Sequence, residues 1–449
     1  MSRRSKGHDY LGWGLVATVL LAPLPWGGIR PFFYMLYAVV VAGMGLFYAM
    51  GLYRGHVRPR LPLSAFAAPV LLFGLVIVWL LVTLLPLGLL AAPEWAMLPP
   101  VAEVTGRISI GPGATFDMLV RYLTYGLFFI LALQVAVEQR RARTLFRVVY
   151  WGIAVHALLA LALLTYFDDA LLFLPKEAYF GDATGAFVNR NSFATFLAFG
   201  AIMGAALIFG NDEEDVSRSR LSRILIQLGF NVAPLALIGL ALAFSHSRMG
   251  MFVAALGVGI IALLAVFKSA GLRRIVAGVL IVAGLAAGLV LANTGGVLFE
   301  RMATVDRDAD VRLAVYQQTL DLIAARPLTG YGGGTYEDAF RAVKTDPISP
   351  DVTFDAAHDL YLELAAELGI PAAVAVVLSV LLLAGTTALA ALRRRRNWEL
   401  PAAAAAVVLA GGVHSLVDFS LQIPAIVLMM LMILALGFAQ SRSAQQPAA

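Results

Sequence analysis

Apolar residues run through this chain in stretches of about 20, separated by short polar or charged connections. Wound as a helix, such a stretch reaches about 30 Å, the thickness of a bilayer's hydrocarbon core. The pattern predicts about twelve spans. They fall near 11–28, 32–52, 63–91, 117–137, 148–167, 190–210, 225–244, 249–267, 275–293, 369–391, 400–417 and 421–439. The fold class is therefore all-α: a polytopic integral membrane protein, read as a single membrane domain over residues 1–449.

The rhythm breaks once, where residues 294–368 form a polar insertion with apolar runs on both sides. A loop of about seventy residues is far beyond an ordinary connection, which marks it as the place where a site is built. Within it, Leu313, Tyr316, Leu320 and Ile323 give helical spacing over 309–325, and Arg326-Pro327 ends that helix. Gly330 to Gly334 reads as a tight turn, and 357–368 as a second amphipathic helix broken by Gly369-Ile370-Pro371.

Charge orients the spans. The basic N-terminus and the clusters Arg54-Arg58-Arg60, Arg140-Arg141-Arg143-Arg147, Arg218-Arg220-Arg223, Lys268-Arg273-Arg274 and Arg393 to Arg396 fall in every second connection. The positive-inside rule makes that side cytoplasmic, with both termini on it and the 294–368 loop outside. The N-terminal basic stretch before an apolar run reads as a retained first span rather than a cleaved leader.

With 60% hydrophobic residues and 14% charged, the composition agrees with that reading. The net charge of +5 is accounted for by the cytoplasmic loops and requires no nucleic acid. Cysteine is absent, which excludes a disulfide framework, a thiolate metal site and a catalytic thiol.

Three arginines depart from the charge bias by falling on the outer face: Arg190 at the mouth of the sixth span, Arg248 in a short turn between two spans, and Arg312 inside the loop. A lone arginine there often only snorkels to the headgroups. Three on one face, with polar neighbours, suit a phosphate or diphosphate, whose oxygens match the guanidinium fork. His358 is the candidate acid–base group. The bland alternative is a hydrogen-bonded helix cap. Nearby arginines and a helix N-terminus disfavour imidazolium and so favour a neutral base near pH 7.

Other polar clusters carry less. Gly330 to Gly334 lacks the lysine and hydroxyl residue of a nucleotide P-loop and reads as a turn that brings backbone close to the site. Asp306, Asp308 and Asp310 alternate, but without the glycine and glutamate of a calcium loop. No metal site is assigned. Glu363 and Glu367, four apart, read as orienting or capping groups, and His414 and Asp418 as a structural pair.

An ordered set of motifs over 180–370 resembles the O-antigen ligase and polymerase superfamily of bacterial envelope glycan assembly. It comprises Gly185-x-Phe187-x-Asn189-Arg190-Asn191-x-Phe193-Ala194; Ser247-Arg248; Arg312 through Arg326-Pro327-Leu328-x-Gly330-Tyr331-Gly332; and Ala357-His358-x-x-Tyr361-Leu362-Glu363, followed by Glu367-Leu368-Gly369. The chain departs from the usual pattern at Asp359, where the family has asparagine, and at Arg190, where many members have proline.

The resemblance implies a metal-independent, inverting glycosyl transfer without a cofactor, at the periplasmic face of the inner membrane. The donor would be a glycan on undecaprenyl diphosphate. The acceptor would be lipid A-core, a second lipid-linked glycan or a protein hydroxyl. Arg248 and Arg312, with Arg190, would hold the diphosphate, and His358 would take the acceptor proton. Asn189, Ser247, Gly330, Tyr331, Gly332, Tyr361 and Glu363 would support them. A reading from another class is a transporter or flippase for a lipid-linked anion. A transporter places ionisable groups near the midplane, whereas here they gather at one face.

Overall fold

A computed structural model describes residues 3–88, 91–97, 106–210, 228–268, 298–345, 348 and 353–443. The chain folds into helices α1 (Arg3–Leu21), α2 (Pro31–Tyr53), α3 (Ala67–Leu84), α4 (Pro112–Ala136), α5 (Gln139–Tyr166), α6 (Arg190–Phe209) and α7 (Ala233–Phe244). These are followed by α8 (Arg248–Lys268), α9 (Leu298–Ala325), α10 (Tyr336–Val343), α11 (Leu360–Leu368), α12 (Ile370–Arg393), α13 (Glu399–His414) and α14 (Pro424–Ser443).

Among the described residues, eight helices are long and apolar enough to cross a membrane, against the dozen expected. Two further predicted spans, around α7 and α13, are apolar but shorter. The first predicted span forms α1, which draws in the charged residues Lys6 and Asp9 and ends before the Pro23/Pro25 turn. The predicted span 275–293 lies outside the described residues. The third ends at Leu84 rather than 91, because Pro86 disfavours helix at Leu85, which is extended.

The bundle is layered around α6 and α14. The apolar window of α6 is 94% buried and that of α14 wholly so, whereas those of α2 and α3 are 11% and 17% buried and present aliphatic faces outward. Small residues let the central helices close up. At Gly257 of α8 an added Cβ would stand 2.2 Å from Ile202 of α6, and at Gly437 of α14 it would stand 2.3 Å from Ala404 of α13. A larger residue at Gly437 also meets the Leu400 carbonyl at 2.7 Å and pushes α13 and α14 apart, whereas at Gly257 the end of the Ile202 side chain must move.

The two ends of the bundle differ in chemistry. At one end basic side chains close helix C-termini: Lys268 donates to the Leu392 and Arg394 carbonyls, and Arg394 to those of Gln440 and Ser441. Arg141 pairs with Asp9 and Arg143 with Glu399 at 2.7 Å each. The opposite end carries α9, α10 and α11 with the starts of α6 and α8. The first loop helix is longer than the predicted 309–325. The side chains of Arg301, Asp306, Arg307, Asp308 and Asp310 within it lie outside the described residues. Helix α10 was not anticipated; its Tyr336 and Phe340 stack 5.4 Å apart in a small core with Val315, Leu322 and Ile323 of α9.

Candidate functional site

The site grows from three helix starts. Helix α6 begins at Arg190, capped by Asn189, whose side-chain oxygen accepts from the Asn191 backbone N–H at 2.7 Å. Helix α8 begins at Arg248. Ser247 before it accepts from the Gly250 N–H at 3.2 Å and donates to the Asn191 side chain at 2.9 Å, tying the two starts together. Helix α11 begins after Asp359, whose carboxylate accepts from the backbone N–H groups of Tyr361 and Leu362. Asp359 is therefore a cap in its own right, a role that asparagine also fills. The α11 helix is shorter than the predicted 357–368, and His358 lies just before its cap.

His358 sits in a strained turn held from several sides. Its φ is +56°, a left-handed conformation costing about 1–2 kcal/mol for an L residue. Glu363 reaches back to accept the Ala357 N–H at 2.8 Å, and Tyr316 of α9 donates to the His358 carbonyl at 3.3 Å. The Leu360 N–H donates to the Ser415 carbonyl at 2.9 Å, and Tyr361 donates to the Gly412 carbonyl at 2.7 Å, fixing the turn to the end of α13. Phe419 packs edge-on against the imidazole, ring centres 5.2 Å apart. Tyr361 and Glu363 thus position the histidine turn.

The imidazole's pKa is lowered, first by its burial and then by the Arg312 guanidinium, with Asp355 opposing. A neutral ring near pH 7 is the state a general base needs. The helix N-terminus expected to contribute is already satisfied by Asp359.

Arg312 and His358 share one neighbourhood. Tyr179 feels both Arg190 and Arg312, and Tyr316 feels Arg312, Asp359 and Asp418. Asp418 is 2% exposed; burial raises its pKa to about 6, while Ser420 and Arg312 oppose the rise. Ser420 donates to Asp418 at 3.1 Å and accepts from Thr195 at 3.1 Å, and Thr195 also bonds His414. His414 and Asp418 stand 4.0 Å apart, so the expected pair is a member of a buried polar network beneath Arg312.

The arginines differ in their freedom. Arg190 is held by Asp182, Nη1 to Oδ2 at 2.7 Å, and lies 5.5 Å over the Tyr179 ring. The other oxygen of Asp182 bonds His246 Nδ1 at 2.7 Å, so one buried carboxylate joins the α6 and α8 starts. Arg248 and Arg312 are exposed, with no ion pair among the described residues. No described contact joins Arg248 to Arg312 or His358. The structure brings Arg190, Arg312 and His358 into one region, and Arg248 follows Ser247 at the exposed start of α8.

The glycine turn departs from its expected place. Gly330 has φ +65°, and a Cβ there would stand 2.3 Å from the Glu367 carbonyl. The N–H groups of Tyr331 and Gly332 donate to the Ala366 and Glu367 carbonyls at 3.0 and 2.8 Å. The turn satisfies the C-terminus of α11 rather than approaching the arginines. Arg326 belongs to the same support, 4.2 Å over the Tyr331 ring and paired with Glu94.

Two residues escaped the reading of the sequence, and a third was read only in part. Asp182 offers no local signal, since its partners are eight and 64 residues away. Asp418 appeared only as a partner of His414. Arg121 sits in the first half of α4, where a cation in an apolar run is itself a signal.

Residues 233–377 match the family model described as O-Antigen ligase (Wzy_C). The matched stretch holds Arg248, Arg312, the glycine turn and His358, while Arg190 lies before it. No curated protein matches the chain. The match supports the resemblance to the O-antigen ligase and polymerase superfamily carried by the motifs, and the apolar helices support a membrane protein.

Proposed function

We propose that this protein moves a glycan from an undecaprenyl-diphosphate carrier to an acceptor hydroxyl at the periplasmic face of the bacterial inner membrane. The observation that carries this reading is the half-buried His358 turn, held by Glu363 and by Tyr316 of the Arg312 helix, where burial and the Arg312 guanidinium push the imidazole toward its neutral form. His358 takes the proton of the acceptor hydroxyl as its oxygen attacks the anomeric carbon. The bond from that carbon to the diphosphate oxygen breaks with inversion, and the carrier leaves as its diphosphate. Arg312 and Arg248 meet the charge that develops on the leaving group, so guanidinium forks supply the stabilisation in this reading. Arg190, already balanced by Asp182, contributes less net charge.

The opposed chemistry of the two bundle ends supports placing the donor at the α9–α11 end, with the arginine-capped end in the cytoplasm. The helix starts of α6 and α8 add favourable dipoles for an anion. The loop over 294–368 then covers a single membrane domain.

The envelope glycan profile of a strain lacking this protein tests the reading and separates its acceptors. Loss of long chains from lipid A-core, with lipid-linked polymer still present, identifies a ligase. Collapse to single repeat units identifies a polymerase. Loss of glycan from protein alone identifies a protein transferase. An unchanged profile throughout contradicts glycosyl transfer.

A further inference from the structure

A cavity of about 200 Å³ lies between α4 and the histidine turn. Arg121, Tyr122 and Tyr125 of α4 form one wall, Glu363 and Glu367 of α11 another, and Gln422 closes it. It is smaller than the roughly 300–1,000 Å³ of drug-sized sites, which leaves room for one small ring.

The groups facing this space are of two kinds. The glutamates are already engaged, Glu363 with the Ala357 N–H and Glu367 with the Tyr336 N–H at 3.1 Å, so they make a fixed floor. Arg121 is engaged only in part: its guanidinium lies 5.3 Å over the Tyr34 ring, but its Nε–H is buried with no hydrogen-bond partner among the described residues, and no ion pair with either glutamate is found among them. A buried donor of this kind is costly to leave unmade. Tyr122 and Tyr125 add an aromatic wall, ring centres 6.3 Å apart, with Tyr122 stacked on Phe73 at 6.0 Å.

Charge selects the occupant's class. Four acidic residues, Glu337, Asp355, Glu363 and Glu367, line the space with Arg121 as the one cation of the lining; burial pushes the two α11 carboxyls toward the neutral form, so the space offers an anion such as a diphosphate one guanidinium and no excess of positive charge. Arg121 opposes a cation. A hydroxyl-rich neutral ring fits: each hydroxyl donates to carboxylates and accepts from Arg121, while the ring's C–H face lies on tyrosine. The location adds the function. Asp355 both lines the cavity and acts on the His358 imidazole, and the Ala357 N–H held by Glu363 immediately precedes that histidine.

The geometry points to a sugar subsite in which Arg121, Tyr122 and Tyr125 hold one uncharged ring of the acceptor glycan beside His358. Its assignment to the acceptor rests on the transferase reading; the binding of a neutral sugar does not.

Saturation-transfer NMR on the full-length protein in nanodiscs tests it, with methyl glucoside as probe, glucuronate as the anionic comparator and empty nanodiscs as the blank. Wild type and His358→Ala should both bind methyl glucoside in preference to glucuronate. Arg121→Met should weaken that binding about tenfold or more, and Tyr125→Phe about threefold. Tyr125→Phe removes one hydroxyl and keeps the ring, so it remains informative if Arg121→Met does not fold. No binding of methyl glucoside to wild type overturns the subsite, as does equal binding by Tyr125→Phe or a preference for glucuronate. Absent sugar binding with transfer still lost in His358→Ala would reject the subsite alone. Sugar binding as expected with transfer intact in His358→Ala would reject the base instead.

Discussion

Glu363→Leu tests whether the histidine turn is held as the structure indicates. Glu363 is 5% exposed and Ala357 fully buried, and their hydrogen bond spans 2.8 Å. Leucine roughly fills the same space but leaves the buried Ala357 N–H without its side-chain acceptor. Orphaning such a donor costs about 1–3 kcal/mol. The adjoining left-handed His358 has a further reason to relax, so the competent turn should become about 5–150 times less populated. Glu363→Gln keeps an acceptor oxygen at the same place and should retain at least about a third of the transfer rate. The assay is glycan transfer at matched protein levels, with melting temperature measured alongside. Transfer undiminished in Glu363→Leu, or equal losses in the two variants, would refute the reasoning. Stability carries a second signature. Burial raises the Glu363 carboxyl well above its usual range, with Glu367 adding to the shift. A raised carboxyl contributes stability that is complete below the ordinary value, about 4.3, and is lost as pH rises through the folded value. Wild type should therefore melt lower as pH climbs from mildly acid to neutral, and Glu363→Gln should show a shallower decline.

Three further outcomes follow from the same geometry. Because burial and Arg312 lower the His358 pKa, transfer should hold at neutral pH and fall only below the ordinary histidine value of about 6.5. In Arg312→Gln the residual activity should lose its acid limb at higher pH, and an unmoved limb would separate the two residues. Arg248→Lys and Arg312→Lys should recover only part of the activity lost in the alanine variants, since an ammonium cannot form the bidentate fork; full recovery in donor-dependent rate assays would argue against diphosphate contact. Asp182→Ala should lower stability by about 1–2 kcal/mol, the modest value reflecting the exposure of its partners Arg190 and His246. A denaturation midpoint unchanged by that substitution would show the bridge to be idle.

The bundle was largely legible because membrane burial writes itself as continuous apolar length. Helices α2, α4, α6, α8, α12 and α14 all fall close to predicted spans. Boundaries drifted where local chemistry was mixed. Helix α5 starts at Gln139, nine residues before the predicted span, since Arg140 to Arg147 continue the helix outside any apolar run. Helix α10 was hidden because Gly330 to Gly334 announces a turn and only eight residues follow as helix. Arg312 and His358 could be found from the sequence because both are polar groups in a loop too long for a connector. Their supports could not. Asp182 serves partners on other elements, and the glycine turn's destination depends on where α11 ends. Glu363 and Glu367 were visible as a pair, but their work is set by burial, which one sequence does not display. Arg121 was overlooked inside an apolar stretch, although its charge there was the signal.

The most direct measurement is the glycan profile of a deletion strain complemented with His358→Ala, with the level of the membrane-inserted protein measured in the same cells. Absent transfer with lipid-linked donor accumulating, at wild-type protein level, is the result expected if a neutral His358 is the base. A normal glycan profile from that variant would contradict it and remove the histidine from the mechanism.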